Sequence, residues 1–137
     1  MALAKSFRDL NVYQLARGAA RRVFEVSKTF PKEERYSLTD QIRRSSRAVN
    51  ALLAEAWARR RYVAAFINTV DEALGEANET QVWLDHALDS SYLTPAEFAE
   101  LDAQFQSIGG MLTRMIDRAD DFCRAYASPP KPTRPPP

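Results

Sequence analysis

The sequence predicts an all-α protein: a single-domain, antiparallel up-down four-helix bundle followed by a disordered, proline-rich C-terminal tail. Three observations lead there. Four segments carry apolar residues at alternating spacings of three and four, the mark of a helix with one buried face, and no segment alternates with a period of two. The breaks between them are short, which makes successive helices antiparallel neighbours. At 137 residues, with 45% apolar and 27% charged side chains, the chain has the size and composition of one ordinary globular domain. The bundle is assigned to residues 1–127, with helices at about 11–28, 37–58, 62–88 and 95–126, and the tail to residues 128–137.

Residues 1–10 are a lead-in whose Phe7 and Leu10 tuck against the bundle. Asn11 is placed to cap the first helix, with Gln14 at the capping-box position. Its stripe is Val12, Ala16, Ala19, Val23 and Val26, widened by Tyr13, Ala20 and Phe24. Pro31 stops the helix and biases Phe30 away from helical geometry. The chain is organised around the second helical stretch, "SLTDQIRRSSRAVNALLAEAWARRR", Ser37 to Arg61. Leu38, Ile42, Ser45, Val49, Leu52 and Ala56 make its stripe, and Ser37 with Asp40 is a short capping-box variant. The opposite face carries Arg43, Arg44 and Arg47, then Ala51, Ala54 and Ala58. Alanine there has two readings: plain helix propensity, or a second packing face where small side chains admit another helix or subunit.

The third stripe, Val63, Phe66, Val70, Ala73 with Leu74, Ala77, Leu84 and Ala87, continues in phase with the second. One helix from Ser37 to Leu88 would be about 78 Å long, more than a compact domain of this size accommodates. A turn is therefore placed at about 58–61, where Arg59, Arg60 and Arg61 put charge on the stripe. Thr94 as N-cap, Pro95 at the first helical position and Glu97 closing the box mark the start of the fourth helix, with Leu93 and Phe98 placed as a staple. Its stripe is Phe98, Leu101, Phe105, Ile108, Leu112, Met115, Ala119, Phe122 and Tyr126, the repeat of left-handed bundle packing. The tail "SPPKPTRPPP" has nothing to bury. All four glycines fall inside helices, and the pair Gly109–Gly110 is placed to kink the fourth or to let a neighbour approach.

Composition narrows function. No apolar run is long enough to span a membrane, and the N-terminus lacks the apolar core of a signal peptide. The lone Cys123 forms no intramolecular disulfide and fits a reducing compartment, so a cytoplasmic protein is expected. Residues 1–62 hold 14 Lys and Arg against 6 Asp and Glu, whereas residues 63–137 hold 5 against 12. Either the basic half meets nucleic acid, or basic helices pair with acidic ones within the bundle or between subunits. A di-iron site is excluded in its usual form, because the single His86 has Trp83 rather than Glu three residues before it. His86 reads as a surface residue, Glu72, Glu76 and Glu79 as a solvated or salt-bridged face, and Cys123 as core. Phosphate-binding loops and nucleophile elbows are absent from the sequence. No enzyme, metal or cofactor is expected. What remains are surfaces: Arg43, Arg44, Arg47, Arg59, Arg60 and Arg61 suit phosphates or carboxylates. Trp57 and Tyr62 beside them can stack on bases or join a subunit contact.

The segments "FRDLNVYQLA", "FPKEERYSLTDQIRRSS", "NALLAEAWARRR", "FINTVDEALGEANETQVWL" and "MLTRMID" resemble the bacterial S23, or intervening-sequence, protein family over nearly all of residues 6–122. The most specific stretches are Phe30 to Arg44 and Ala73 to Gln81. The family is encoded within large-subunit ribosomal RNA genes or elsewhere in bacterial genomes. It also resembles accessory variability proteins of diversity-generating retroelements, which bind nucleic acid and engage a reverse transcriptase. The resemblance implies an up-down four-helix bundle assembled as a homopentamer. The family's S-I-P-x-N-I-A-E-G segment reads here Ala48 to Ala56, with Asn50, Leu52 and Ala56 in place of proline, asparagine and glycine. Two functions fit these residues. One is a non-enzymatic oligomeric scaffold of uncharacterised role, with self or another protein as partner through Arg43, Arg44, Arg47, Ala51, Ala54, Trp57, Ala58 and Arg59 to Arg61. The other is an accessory protein using the same residues on RNA or DNA, with an RNA or a reverse transcriptase as partner.

Overall fold

The computed structural model describes residues 4–124, so Tyr126 and the tail assigned to residues 128–137 lie outside the described residues. Four long helices dominate: α1 (Asn11–Ser27), α2 (Leu38–Ala58), α3 (Val63–Asp89) and α4 (Pro95–Asp117), followed by a short α5 (Ala119–Arg124). Single turns of 3-10 helix at Phe7–Asp9 and Lys32–Glu34 precede α1 and α2. No strand occurs among the described residues. Each long helix packs on its sequence neighbours and α1 closes on α4, while the backbones of diagonal pairs stay more than 8 Å apart at the Cα atoms. The pairings run in opposite directions along the chain. Arg43 meets Ser27 where Asn50 meets Tyr13, and Gln81 meets Asp102 where Leu74 meets Gly109. This is an antiparallel up-down bundle.

The helix ends obey local chemistry, with some changes from expectation. At α4 the capping box forms in full: Thr94 Oγ1 accepts from the Glu97 N–H at 3.1 Å and Glu97 Oε1 accepts from the Thr94 N–H at 2.9 Å, with Pro95 at N1. At α2, Ser37 is the N-cap residue, but its hydroxyl bonds Glu34 Oε1 at 2.7 Å instead of the helix backbone. The intervening 3-10 turn brings Glu34 within reach as an acceptor for the hydroxyl proton, and the Ser37 backbone, at φ −122 and ψ −102, is off the extended geometry in which an N-cap oxygen accepts from the first turn. Asn11 caps nothing. The box instead sits upstream, where Ser6 and Asp9 close the 3-10 turn that leads into α1, and Leu10 is the N-cap of α1. α3 ends in a Schellman motif, with Tyr92 N–H on Ala87 C=O, Ser91 N–H on Leu88 C=O, and Ser91 in the left-handed region at φ 61.

The core is the inner face of all four helices. Phe66, Phe105, Ile42, Leu53, Leu84, Leu101, Ile108 and Leu112 are fully buried. Of the adjacent pair in α2, Leu53 is buried and Leu52 is half-buried, the reverse of the expected stripe. A seven-residue step from Val49 to Ala56 admits either, and the paired burial of Leu38 with Thr39 and of Ser45 with Ser46 shows that α2 turns two adjacent positions inward where it lies between α1 and α3.

The fourth helix is not continuous to residue 126. It stops at Arg118, whose backbone leaves helical geometry at φ −109 and ψ 26. The final turn, α5, re-forms against α3, where the Phe122 ring stacks on Phe66 at 5.6 Å. α4 runs unbroken through Gly109 and Gly110. A Cβ at Gly109 would meet Leu74 Cδ1 at an ordinary 3.6 Å and one at Gly110 would meet nothing.

Candidate interaction surface

The arginines of α2 leave the helix in different directions because α1 and α3 flank it. Arg44 turns towards α3. Its Nη1 and Nη2 donate to Glu76 Oε1 and Oε2 at 3.3 and 3.2 Å, and Nη2 also donates to Glu79 Oε1 at 2.8 Å. Trp83 Nε1 donates to that same Glu79 oxygen at 3.3 Å. Hydrogen bonds donated to Glu79 and then to Glu76 raise the Arg44 pKa above its ordinary value. Burial alone would push Glu79 up, but the Arg44 hydrogen bond and charge, with help from Glu76 and Trp83, outweigh it and hold this carboxyl below the usual range. Directly beneath, the fully buried hydroxyls of Ser45 and Thr80 lie 2.8 Å apart. Glu72 is exposed and outside this network.

Arg43 and Arg47 turn the other way, onto α1. Their guanidinium carbons sit 4.6 and 5.3 Å from the centre of the Phe24 ring, and Arg43 Nε donates to Ser27 Oγ at 2.7 Å. At the α2–α3 turn, Arg59 Nη1 donates to the buried Thr69 Oγ1 at 2.9 Å. Arg60 folds back so that its guanidinium lies 3.4 Å from the centre of the Trp57 ring and Nε bonds the Trp57 carbonyl at 2.7 Å. Arg61 is exposed. The six arginines therefore do not make one surface. The structure brings Arg43 and Arg47 together, couples Arg44 to α3, and places Arg59, Arg60 and Arg61 at the far end of the helix. It also adds Arg17 and Arg21 of α1, which line an open groove with Arg47. Their spacing of four on the outer side of the α1 stripe was the available signal.

Ala51 and Ala58 are exposed and Ala54 is half-buried, so the alanine face of α2 is not part of the core. It runs towards two large exposed apolar residues at the turn, Tyr62 at 66% and Val63 at 40%.

Little supports chemistry. Cys123 is buried, and burial, with Asp120 adding to it and Arg60 opposing, raises its thiol pKa, which disfavours a nucleophilic thiolate. His86 is exposed, with its ring 6.0 Å from that of Trp83. Among the described residues no group of three or more His, Cys, Asp or Glu is placed to hold a metal, and no helix is long and apolar enough to cross a membrane. A cleft of about 710 Å³ opens at one end of the bundle between the start of α1, Trp57 and α5. Both of its carboxylates are engaged: Asp9 accepts from the Lys5 and Ser6 N–H groups, and Asp121 pairs with Arg118 at 3.4 Å.

Known proteins share both the sequence pattern and this bundle. The family model described as 23S rRNA-intervening sequence protein matches residues 8–114. The chain belongs to that family. This intervening-sequence protein is also similar to a crystal structure of a protein with unknown function from the S23 ribosomal protein family of Bacteroides thetaiotaomicron VPI-5482. The two share 28% identity and a TM-score of 0.70, over 77% of this chain and 95% of that one. Curated proteins provide no match. Neither description names an enzymatic activity.

Two of the segments quoted for the resemblance, Phe30 to Arg44 and Ala73 to Gln81, meet in space. Arg44 of the first holds Glu76 and Glu79 of the second, next to the Ser45–Thr80 contact. Phe30 is buried, with its ring 5.6 Å from that of Tyr92. In the divergent segment, the Asn50 amide donates to the Tyr13 carbonyl at 3.2 Å, and Ala56 is fully buried. Asn50 and Ala56 thus tie α2 to α1 and to the core.

Proposed function

We propose that this intervening-sequence protein is a non-enzymatic interaction scaffold, cytoplasmic, that works as a homo-oligomer, with the homopentamer as its expected form. The observation that carries this reading is the polar seam between α2 and α3. Arg44, Glu76, Glu79 and Thr80 are engaged with one another in the α2–α3 seam, so they build the bundle instead of lining a pocket with free acids and bases. What the bundle offers to the outside is the α2 strip of Ala51, Ala54 and Ala58 leading to Tyr62 and Val63. Small side chains let a neighbouring helix approach closely, and the exposed aromatic and valine supply apolar area at its end. An accessory role on nucleic acid through all six arginines is less well supported, because Arg44 and Arg59 are turned to α3.

Ala58→Arg tests the scaffold reading. The side chain is exposed in the single subunit, so the helical signal and melting temperature should stay near those of the parent, as for most surface substitutions. A bulky charge inside a close contact should cut the assembled fraction at least tenfold in analytical ultracentrifugation. An assembly that tolerates Ala58→Arg would place the subunit contact elsewhere.

A further inference from the structure

We infer that the groove between α1 and α2 binds a single strand of nucleic acid through its phosphates. The groove is about 380 Å³ and open, and Arg17 and Arg21 of α1 face Arg47 of α2 across it, with Phe24 and Tyr13 in its wall. Arg43 and Lys28 extend the same positive edge, each held against the Phe24 ring at 4.6 and 4.9 Å.

The gathering of cations around one ring defines the site, with Arg43, Arg47 and Lys28 all against Phe24. Arg22 pairs with Glu100 and Glu25, Arg44 with Glu76 and Glu79, and Arg118 with Asp121. Among the described residues, no carboxylate lies within ion-pair distance of Arg17, Arg21, Arg43 or Arg47. Like charges gathered without counter-charge repel one another, and a bound anion relieves that repulsion. Guanidinium groups present planar donors that match phosphate oxygens, often in pairs. Stacking on Phe24 holds Arg43 and Arg47 in place, which lowers the entropy lost on contact.

The extent of the positive edge selects a chain of phosphates over a single one. Arg17 to Lys28 spans about 16 Å along α1 at 1.5 Å per residue, beyond the reach of one phosphate. A groove between two packed helices admits one strand more readily than a duplex, and Tyr13 at its end offers an aromatic surface for a base. Its lining shares no residue with the alanine strip, although Arg47 stands one turn before Ala51 on the same face of α2, so Arg17→Gln/Arg21→Gln, confined to α1, tests the groove apart from the scaffold.

The test uses the full chain and a labelled single-stranded RNA of mixed sequence, with fluorescence anisotropy at low and moderate salt. The parent should bind at low salt and weaken steeply as salt rises. Arg17→Gln/Arg21→Gln/Arg47→Gln should bind at least tenfold more weakly, with a log–log salt slope shallower by about 2, from about 0.7 per phosphate contact on a single strand. Arg17→Gln/Arg21→Gln leaves the Phe24 stack intact and should lose a part of this. Arg22→Gln, outside the groove, should bind as the parent does. Helical signal and oligomeric mass should be unchanged in all variants, which separates the groove from the scaffold. Absence of binding to the parent at low salt, equal binding by the triple variant, or equal affinity for poly-glutamate would each overturn the assignment. Preference for duplex over single strand would overturn the single-strand form of it.

Discussion

Replacing Phe66 with alanine is expected to destabilise the bundle by about 3–5 kcal/mol, the range for truncating a fully buried phenylalanine. Phe66 has no exposed surface, and its ring stacks on Phe122 with 24° between the planes. It is thus both a core residue of α3 and the seat on which α5 rests. Truncation removes the apolar area of the ring and leaves a cavity beside Phe122. Urea denaturation should show a lower midpoint with an unchanged slope. A loss below about 1 kcal/mol would mean that α5 moves in to fill the space, and that Phe66 is not a fixed part of the core.

Leu53→Ala should cost about 2–5 kcal/mol, and Leu52→Ala less than half as much as Leu53→Ala. The two positions are adjacent in sequence, share the same helix propensity and differ only in burial: Leu53 is fully buried and Leu52 half-buried. Comparing them cancels most contributions from the unfolded chain. Equal losses would contradict the observed rotation of α2.

The bundle was readable from the sequence wherever one signal had no competitor. The α4 start is the clearest case, since Thr94, Pro95 and Glu97 act within one turn and need no tertiary partner. The stripes of α1 and α3 were also readable, apart from Val63, which is exposed. Where tertiary contacts decide, the sequence was silent. Nothing local marks Arg118 as a break, because no glycine or proline stands there and the stripe continues to Phe122. Ser37 looked like a cap because Asp40 stands three residues on, but its hydroxyl donates to Glu34 of the turn before and accepts nothing from the helix backbone.

The interaction surface was harder still. A helical projection puts Arg43, Arg44 and Arg47 on one side of α2, and it carries no information about which helix lies on each flank. Arg44 meets the acidic α3, whereas Arg43 and Arg47 meet an aromatic ring on α1. The excess of positive charge in the first half of the chain thus has two fates: Arg44 and Arg22 are neutralised by carboxylates of α3 and α4, whereas among the described residues Arg43 and Arg47 are not paired with the second half.

Sedimentation equilibrium of the unmodified chain at tens of micromolar tests the central claim, that this bundle acts by assembling, most directly. The scaffold reading predicts an oligomer, with a mass near five times the 15.5 kDa of the chain for the pentamer. A single species at 15.5 kDa across the concentration range would contradict it.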